Sequence, residues 1–427
     1  MYNEQDERGR NMKKSGMSYL SVMLAMCGLV GLSIGVCMGT AGLFYSHIAS
    51  DLKISSGSVS LMYTITTFAS AFSGLLVPVI LKNPKMLKPL IFTGVALCTG
   101  GTFLLSLAGN VWLMYLISIL RGIGSGMLSF VLATTVINNW FYARNGLMVS
   151  IAMAFSGLPG VLLSSIITNV ILSRGWRFGY VFVTIVMLVF AAPAIFLPVK
   201  MRPEETGLQP YGYEDYLKYR EENKEKVVFQ ASHTGPDFLS IEMISLVLFT
   251  VLVCIMAGML QHLPSFALSL GFTAAIGAYM SSAASTANIV SKLMYGILTD
   301  KIGVYKTTIL CACINIVAVI LLITVHTPVL MVLASFLYGF TFANSSTAMS
   351  VLSRETFGMQ NYTKVYPVIS FAGSAANAFG VTLLGMMYDA SGSYFVTFIM
   401  CLIMQACVIL LTLNLARRKK QAEALPA

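Results

Sequence analysis

Two side chains of this 427-residue chain carry a charge where a charge is costly. Lys292 lies in ANIVSKLMYGILTDKIGVYK (287–306), eight residues before Asp300, among apolar and small neighbours. Arg121 lies in LMYLISILRGIGSG (113–126), roughly 14 Å along a helix from the start of its apolar run. All 17 acids fall in tails, loops or the ends of apolar runs: Asp51 and Asp389 near one predicted face, Glu242, Asp300 and Glu355 near the other. A buried cation with no buried carboxylate must lose its proton, borrow backbone carbonyls or meet an anion. The last option makes Lys292 and Arg121 candidate anion contacts. His262 adds a deep group whose charge switches near neutral pH, and Gln261 and Tyr338 add hydrogen bonds to a carboxylate. Competing readings stay open: Lys292 snorkels to the nearer face, carbonyls hold Arg121, and His262 is structural. His47 and His326 read as peripheral.

The elements that must position these groups follow from composition. The chain is 57% hydrophobic and 10% charged, with a mean hydropathy of +0.79, whereas a soluble domain carries about 25% charged residues. That is the balance of a polytopic membrane protein, which needs no polar cover toward lipid. Twelve apolar runs are long enough to span: 19–46, 58–81, 89–108, 111–137, 145–172, 177–198, 241–267, 272–298, 305–325, 328–350, 365–388 and 392–415. Glycine and proline inside them predict tilted and bent helices. The expected fold is an all-α membrane protein of 12 transmembrane helices in two six-helix pseudo-repeats.

With a cytoplasmic N-terminus, 22 of the 27 basic residues, including Lys82, Lys85, Lys88, Lys200 and Arg417 to Lys420, fall in inner loops and tails. The outer loops hold Lys53, Arg174 and Arg177. This positive-inside bias places both termini in the cytoplasm. It also reads the net charge of +10, and the run RRKK (417–420), as topology and contact with anionic lipid, not nucleic-acid binding. The expected parts are a tail (1–18), a first bundle (19–198), a cytoplasmic linker (199–240), helical near 214–226, a second bundle (241–415) and a tail (416–427). No small-residue cleavage site follows the first run, so it is expected to remain as an anchor. All eight cysteines lie in apolar runs without C-x-x-C spacing, which predicts neither disulfides nor a metal site.

The two halves are related. LMYLISILRG (113–122) matches LMVLASFLYG (330–339) at six of ten positions, an offset of 217 that sets Arg121 opposite Tyr338. The same offset pairs Gly175 with Gly392 and Phe178 with Phe395, and a similar one pairs Gly74 with Gly296.

The segment GILTDKIGVYK (296–306) resembles the signature G-x-x-x-D-[RK]-x-G-x-x-[RK] of the major facilitator superfamily. Gly296 suits close helix approach, Asp300 suits a helix N-cap or a cation, Gly303 suits a tight turn, and Lys301 and Lys306 complete a candidate gating motif. The matching turn of the first half, GLLVPVILK (74–82), carries Pro78 where the acid would stand. RGIGSG around Arg121 resembles the superfamily's helix-4 motif, with its glycines and SGLPG (156–160) serving packing and bending. NWF (139–141), RPEETGLQPYG (202–212), HLPSFALSLGF (262–272) and YDASGSY (388–394), in that order, resemble the oxalate/formate antiporter and monocarboxylate porter branch.

The resemblance implies a cavity between two rocking halves with alternating access, a mechanism known for this superfamily. It also implies that a helix-8 base contacts the substrate carboxylate. Lys292 holds that position as a point charge, where arginine is usual. No Lys or Arg occurs in 365–388, which argues against oxalate, and 19–46 has no charge.

The expected function is secondary transport of a small organic anion, a monocarboxylate, by proton symport or anion exchange across the cytoplasmic membrane. The partners are that anion and lipid, the unit a monomer, with no cofactor and no nucleic acid. The alternatives are a multidrug/proton antiporter, which would want a deep acid, and a non-transporting sensor, which would usually append a signalling domain. An enzyme is not expected, because no nucleophile–base set or metal ligands appear and no Walker A sequence provides for ATP.

Overall fold

The computed structural model describes residues 18–54, 56–214, 238–325 and 327–424. The chain divides into two compact units, Met1–Tyr219 and Arg220–Ala427. Helix dominates both, because a backbone that meets lipid must satisfy its polar groups internally.

In the first unit, α1 covers Ser18–Phe44 and continues into a short helix, Tyr45–Leu52. Helix α2 is Ser56–Ile80 and α3 is Leu87–Leu107. Helix α4 runs Val111–Met127 and resumes at Phe130–Trp140. Helix α5 begins at Asn145–Ala154, and the stretch Leu158–Phe196 completes it, turns at Gly175 (φ 84°, ψ 161°) and forms α6. In the second unit, α7 is Ile241–Gly258, a 3-10 turn Met259–His262 and Leu263–Ser269. Helices α8 and α9 are Ala274–Ile302 and Val304–Thr324. Helix α10 runs Pro328–Tyr338, passes a π turn at Ala343–Ala348 and enters the stretch Met349–Ser391, which turns at Gly358 (φ 72°) to give α11. Helix α12 is Tyr394–Ala424.

Ten of the described segments are long and apolar enough to cross a bilayer, against the twelve runs expected. The difference is physical. Helix α8 is too polar to qualify, and α10 and α11 merge across Gly358. The twelve helical passes remain. Helix α12 extends beyond 415, so RRKK is helical. The helix expected near 214–226 lies, beyond Glu214, outside the described residues, as does His326.

Both units pack by one scheme. Helix α2 lies on α4, α3 on α4 and α6, and α1 on the Leu158–Phe196 stretch. Correspondingly α8 lies on α10, α9 on α10 and α12, and α7 on α11. Glycine makes the closest approaches possible. A Cβ on Gly122 would sit 2.5 Å from the Thr66 carbonyl oxygen of α2, and one on Gly339, its repeat partner, 2.9 Å from the Ala284 carbonyl oxygen of α8. Small residues let such backbones touch where lipid gives no hydrophobic drive.

Candidate functional site

The helices that lead each repeat, and the fourth of each, are all interrupted. Helix α1 holds a π turn at Gly31–Val36, α4 breaks at Leu128–Ser129, α7 tightens at Met259–His262 and α10 widens at Ala343–Ala348. Irregular backbone at membrane depth survives only where protein or a polar cavity satisfies it, and π turns concentrate at functional positions.

Arg121 sits on α4, 4% exposed. Its guanidinium donates to the Cys37 carbonyl, just beyond the π turn of α1. One turn along, the Ser125 hydroxyl donates to the Ser33 carbonyl at 3.0 Å, and Ser33 donates to the Leu128 carbonyl at 3.3 Å, where α4 breaks. Arg121 thus ties α4 to α1, as its carbonyl-bound reading required. It has donors to spare: Nε is buried without a partner. Arg121 also lines a cavity of about 10 Å³ with Cys37, Tyr45, Met62, Tyr63, Thr66 and Tyr180, room for about one water. The sequence reading missed the three tyrosines.

Lys292 on α8 is 2% exposed, with Nζ 5.9 Å from the centre of the Phe342 ring on α10. An amine so buried is not snorkelling. Nearby on α8, Asn288 Oδ1 and Ser291 Oγ are buried without partners, as are both amide atoms of Asn344 and Thr347 Oγ1 in the π turn that packs on α8. Arg121 and Lys292 are the buried charged side chains among the described residues, and no buried acid accompanies them there.

His262 ends the 3-10 turn of α7. Its Nε2 lies 2.9 Å from the Val381 carbonyl of α11, so Nε2 carries a hydrogen, and Nδ1 lies 3.4 Å from the Tyr394 hydroxyl of α12. Both ring nitrogens are engaged in tying three helices. Tyr338 is 1% exposed and donates to the Met256 carbonyl of α7 at 2.9 Å. Gln261 is exposed. Within the second unit, then, His262 and Tyr338 both brace α7, while Lys292 belongs to the α8–α10 packing.

At the signature turn Gly303 is the sole residue between α8 and α9, with φ 86° and ψ 160°. Gly296 is buried, and Asp300, Lys301 and Lys306 are exposed. Asp300 lies in the last turn of α8 and does not cap α9, correcting that expectation: Gly303 itself occupies the N-cap position. At the same end of this unit, Arg418 pairs with Glu242 at 3.0 Å and Lys419 pairs with Glu355. Part of RRKK is therefore internally compensated.

Two motifs of the first unit meet. Trp140 Nε1 donates to the Lys200 carbonyl at 3.0 Å, and the Tyr211 amide donates to the Trp140 carbonyl at 2.8 Å. Tyr19 packs edge-on to Trp140 and to Tyr211 and donates to the Gln209 carbonyl. NWF and RPEETGLQPYG are thus two sides of one strap across the ends of α1 and α4. Beside it, Lys88 Nζ caps α6 by donating to the Ala194 and Leu197 carbonyls, each at 2.8 Å. At the opposite end of the unit, Asp51 accepts from Arg177 at 2.7 Å and from Trp176 Nε1 at 3.0 Å. Those bonds, with Arg177 foremost, hold the Asp51 carboxyl below the usual range.

Comparison with known proteins agrees with this architecture. The family model for the Major Facilitator Superfamily matches residues 27–294 and 269–427. Monocarboxylate transporter 12 of Rattus norvegicus is 21% identical over 405 residues, 89% of this chain and 81% of that protein. The Mus musculus protein of the same name is 22% identical over 379 residues, 84% of this chain and 76% of that one. In structure, the chain is similar to the proton:xylose symporter XylE bound to 6-bromo-6-deoxy-D-glucose (TM-score 0.71, 15% identity, 94% of this chain and 96% of that one). It is also similar to a variant of the E. coli fucose:proton symporter FucP (TM-score 0.69, 12% identity, 93% and 99%). The fold and its broken helices are those of a multi-pass secondary transporter. The chain belongs to the major facilitator superfamily.

Proposed function

We propose that this transporter carries a small organic anion, a monocarboxylate, across the cytoplasmic membrane by alternating access, with both termini in the cytoplasm. The observation that carries this reading is the kind of titratable side chain that is buried: Arg121 and Lys292 are both basic, and no acid is buried among the described residues. Desolvating a cation costs several kcal/mol unless an opposite charge arrives, and a carboxylate substrate supplies that charge transiently. The monocarboxylate transporters among the relatives support the substrate class. A multidrug/proton antiporter would want a buried acid for a cationic drug.

Lys292 and Arg121 are the proposed anion contacts. Tyr338 and His262 support the geometry of α7, and Gln261, exposed beside His262 in sequence, is a further proposed hydrogen-bonding contact. Gly296, Asp300, Lys301, Gly303 and Lys306 form the proposed gating turn. The chain is proposed to act as a monomer and without enzymatic activity. Proton symport or exchange of one anion for another drives the transport, and the pH-gradient arm of the test separates the two.

The test is uptake of labelled monocarboxylates into proteoliposomes, with and without a pH gradient. Uptake that is saturable, blocked by unlabelled acids and unaffected by the matched neutral amides is expected. Transport of organic cations with no response to carboxylates would replace the proposal with the drug antiporter.

A further inference from the structure

The run RGWRFGY (174–180) opens α6 immediately after the turn at Gly175. Trp176 and Tyr180 are four residues apart and share one helix face. The Trp176 ring meets Tyr180 edge-on at 6.0 Å, and Tyr180 stacks on Phe44 of α1 at 4.1 Å with 10° between the planes. Tyr180 is 3% exposed and lines the Arg121 cavity. Trp176 is in turn fixed from outside. Asp51 accepts its indole N–H, and the Arg177 guanidinium lies 4.2 Å from the centre of its ring. Arg177 pairs with the same carboxylate at 2.7 Å. A continuous set of contacts therefore runs from an exposed ion pair to the cavity wall beside Arg121, within one unit.

We propose that Trp176, held by Asp51 and Arg177, is a positioning residue that sets, through Tyr180, how far the Arg121 cavity, which here has room for about one water, widens to admit an anion. An exposed ion pair adds little stability by itself. Here its carboxylate has a second task, which is to orient an indole. Without that acceptor the indole N–H loses its partner, the ring is free to turn, and the edge contact that holds Tyr180 over the cavity goes with it. The Phe44 stack then holds Tyr180 without the indole edge. The size limit rests on the monocarboxylate reading, but the effect on the cavity wall does not.

Cys37 gives a probe that needs no substrate, because it lines the cavity and is 1% exposed. The full-length chain is treated with N-ethylmaleimide, and peptide mass mapping reads the labelling rate at each cysteine. Asp51→Ala and Trp176→Phe are expected to raise the rate at Cys37 about tenfold, the factor set by losing one hydrogen bond to a charged group. Cys254, buried in the other unit, should not change, and Asp51→Glu should restore the slow rate. Trp112→Phe, at an exposed tryptophan, is the control. An unchanged Cys37 in both variants, or Cys254 rising in step with it, overturns the proposal, the second because it signals general loosening. Trp176→Phe decides the matter if Asp51→Ala does not fold. In a second measurement, uptake of straight-chain acids from acetate to hexanoate should shift toward the longer chains in Trp176→Phe. If the wild-type protein carries none of these acids, the transport reading fails, while the thiol rates still decide the role of Trp176.

Discussion

Arg121 and Tyr338 hold the same place in the two repeats, and each donates to a carbonyl of its unit's leading helix, Cys37 in α1 and Met256 in α7. The donors are 217 residues apart and the acceptors 219. One position thus has one structural duty in both halves, a tie from the fourth helix to the first. A phenol does this with its only donor. A guanidinium does it with one of five, and among the others Nε is buried without a partner. The difference separates scaffold from chemistry: the tie is shared, and the surplus positive charge belongs to the first half. In the second half the buried cation has moved to α8, at Lys292.

The hardest blow to this contrast comes from neutralising the cations. Lys292→Gln and Arg121→Gln should each cut carboxylate uptake by about a hundredfold or more, since each removes a charged contact worth about 3 kcal/mol. Lys292→Arg should keep partial activity, because charge is retained and geometry altered. Wild-type uptake by Lys292→Gln would end its assignment as an anion contact. Ligand stabilisation sharpens the same point. A monocarboxylate at a hundredfold excess over its Kd should raise unfolding stability by about 2.7 kcal/mol. That thermal shift should be absent with the neutral amides and smaller in either Gln variant.

Tyr338→Phe should show the smaller effect of a pure tie: a loss of about 1 kcal/mol in unfolding stability, with uptake per folded molecule near wild type. If it silenced transport as fully as Arg121→Gln, the two positions would share more than scaffolding. Asp300→Asn should slow counterflow by several-fold while leaving calorimetric affinity within about twofold, since the turn biases the balance of states and not the site. A large affinity loss with normal turnover would assign Asp300 to binding. The smallest effect concerns Asp51, whose pKa is lowered by Arg177 and Trp176. Its contribution is present above the unfolded carboxylate pKa of about 4 and is lost as pH falls through the depressed folded value. Cys37 labelling should therefore be flat with respect to this group between about pH 5 and 8. A labelling step in that window that Asp51→Asn removed would show that the carboxylate is not held as described.

Much of this organisation is legible in the sequence because membrane helices announce themselves by composition. The twelve runs, the 217-residue offset and the Gly303 turn are local signals. The burial of Arg121 and Lys292 follows from their depth in apolar runs. Tyr45, Tyr63 and Tyr180 do not stand out, since they come from the end of α1, α2 and α6 and have no common spacing. The strap is visible as two motifs, but nothing local says that Trp140 meets Lys200, sixty residues on. Asp300 reads as a cap by residue type, yet glycine can fill an N-cap position with no side chain at all. The sequence likewise shows the charge of RRKK and not its partners, which lie on α7 and α10.

The π turns at Gly31–Val36 and Ala343–Ala348 have a consequence for alignment and for engineering. A π turn is in effect one residue inserted into an α-helical frame, and one residue is about 100° of rotation. Deleting a single residue from the π turn would leave everything beyond it on nearly the same face, because the turn absorbs that residue, whereas deleting one from the regular helix before it would swing everything beyond by about 100°. In the second case Phe44 and Tyr45 would leave the faces that meet Tyr180 and the Arg121 cavity, with no change in side-chain chemistry. In these two helices the count of residues is itself a specification, and gaps placed there when relatives are compared carry structural meaning.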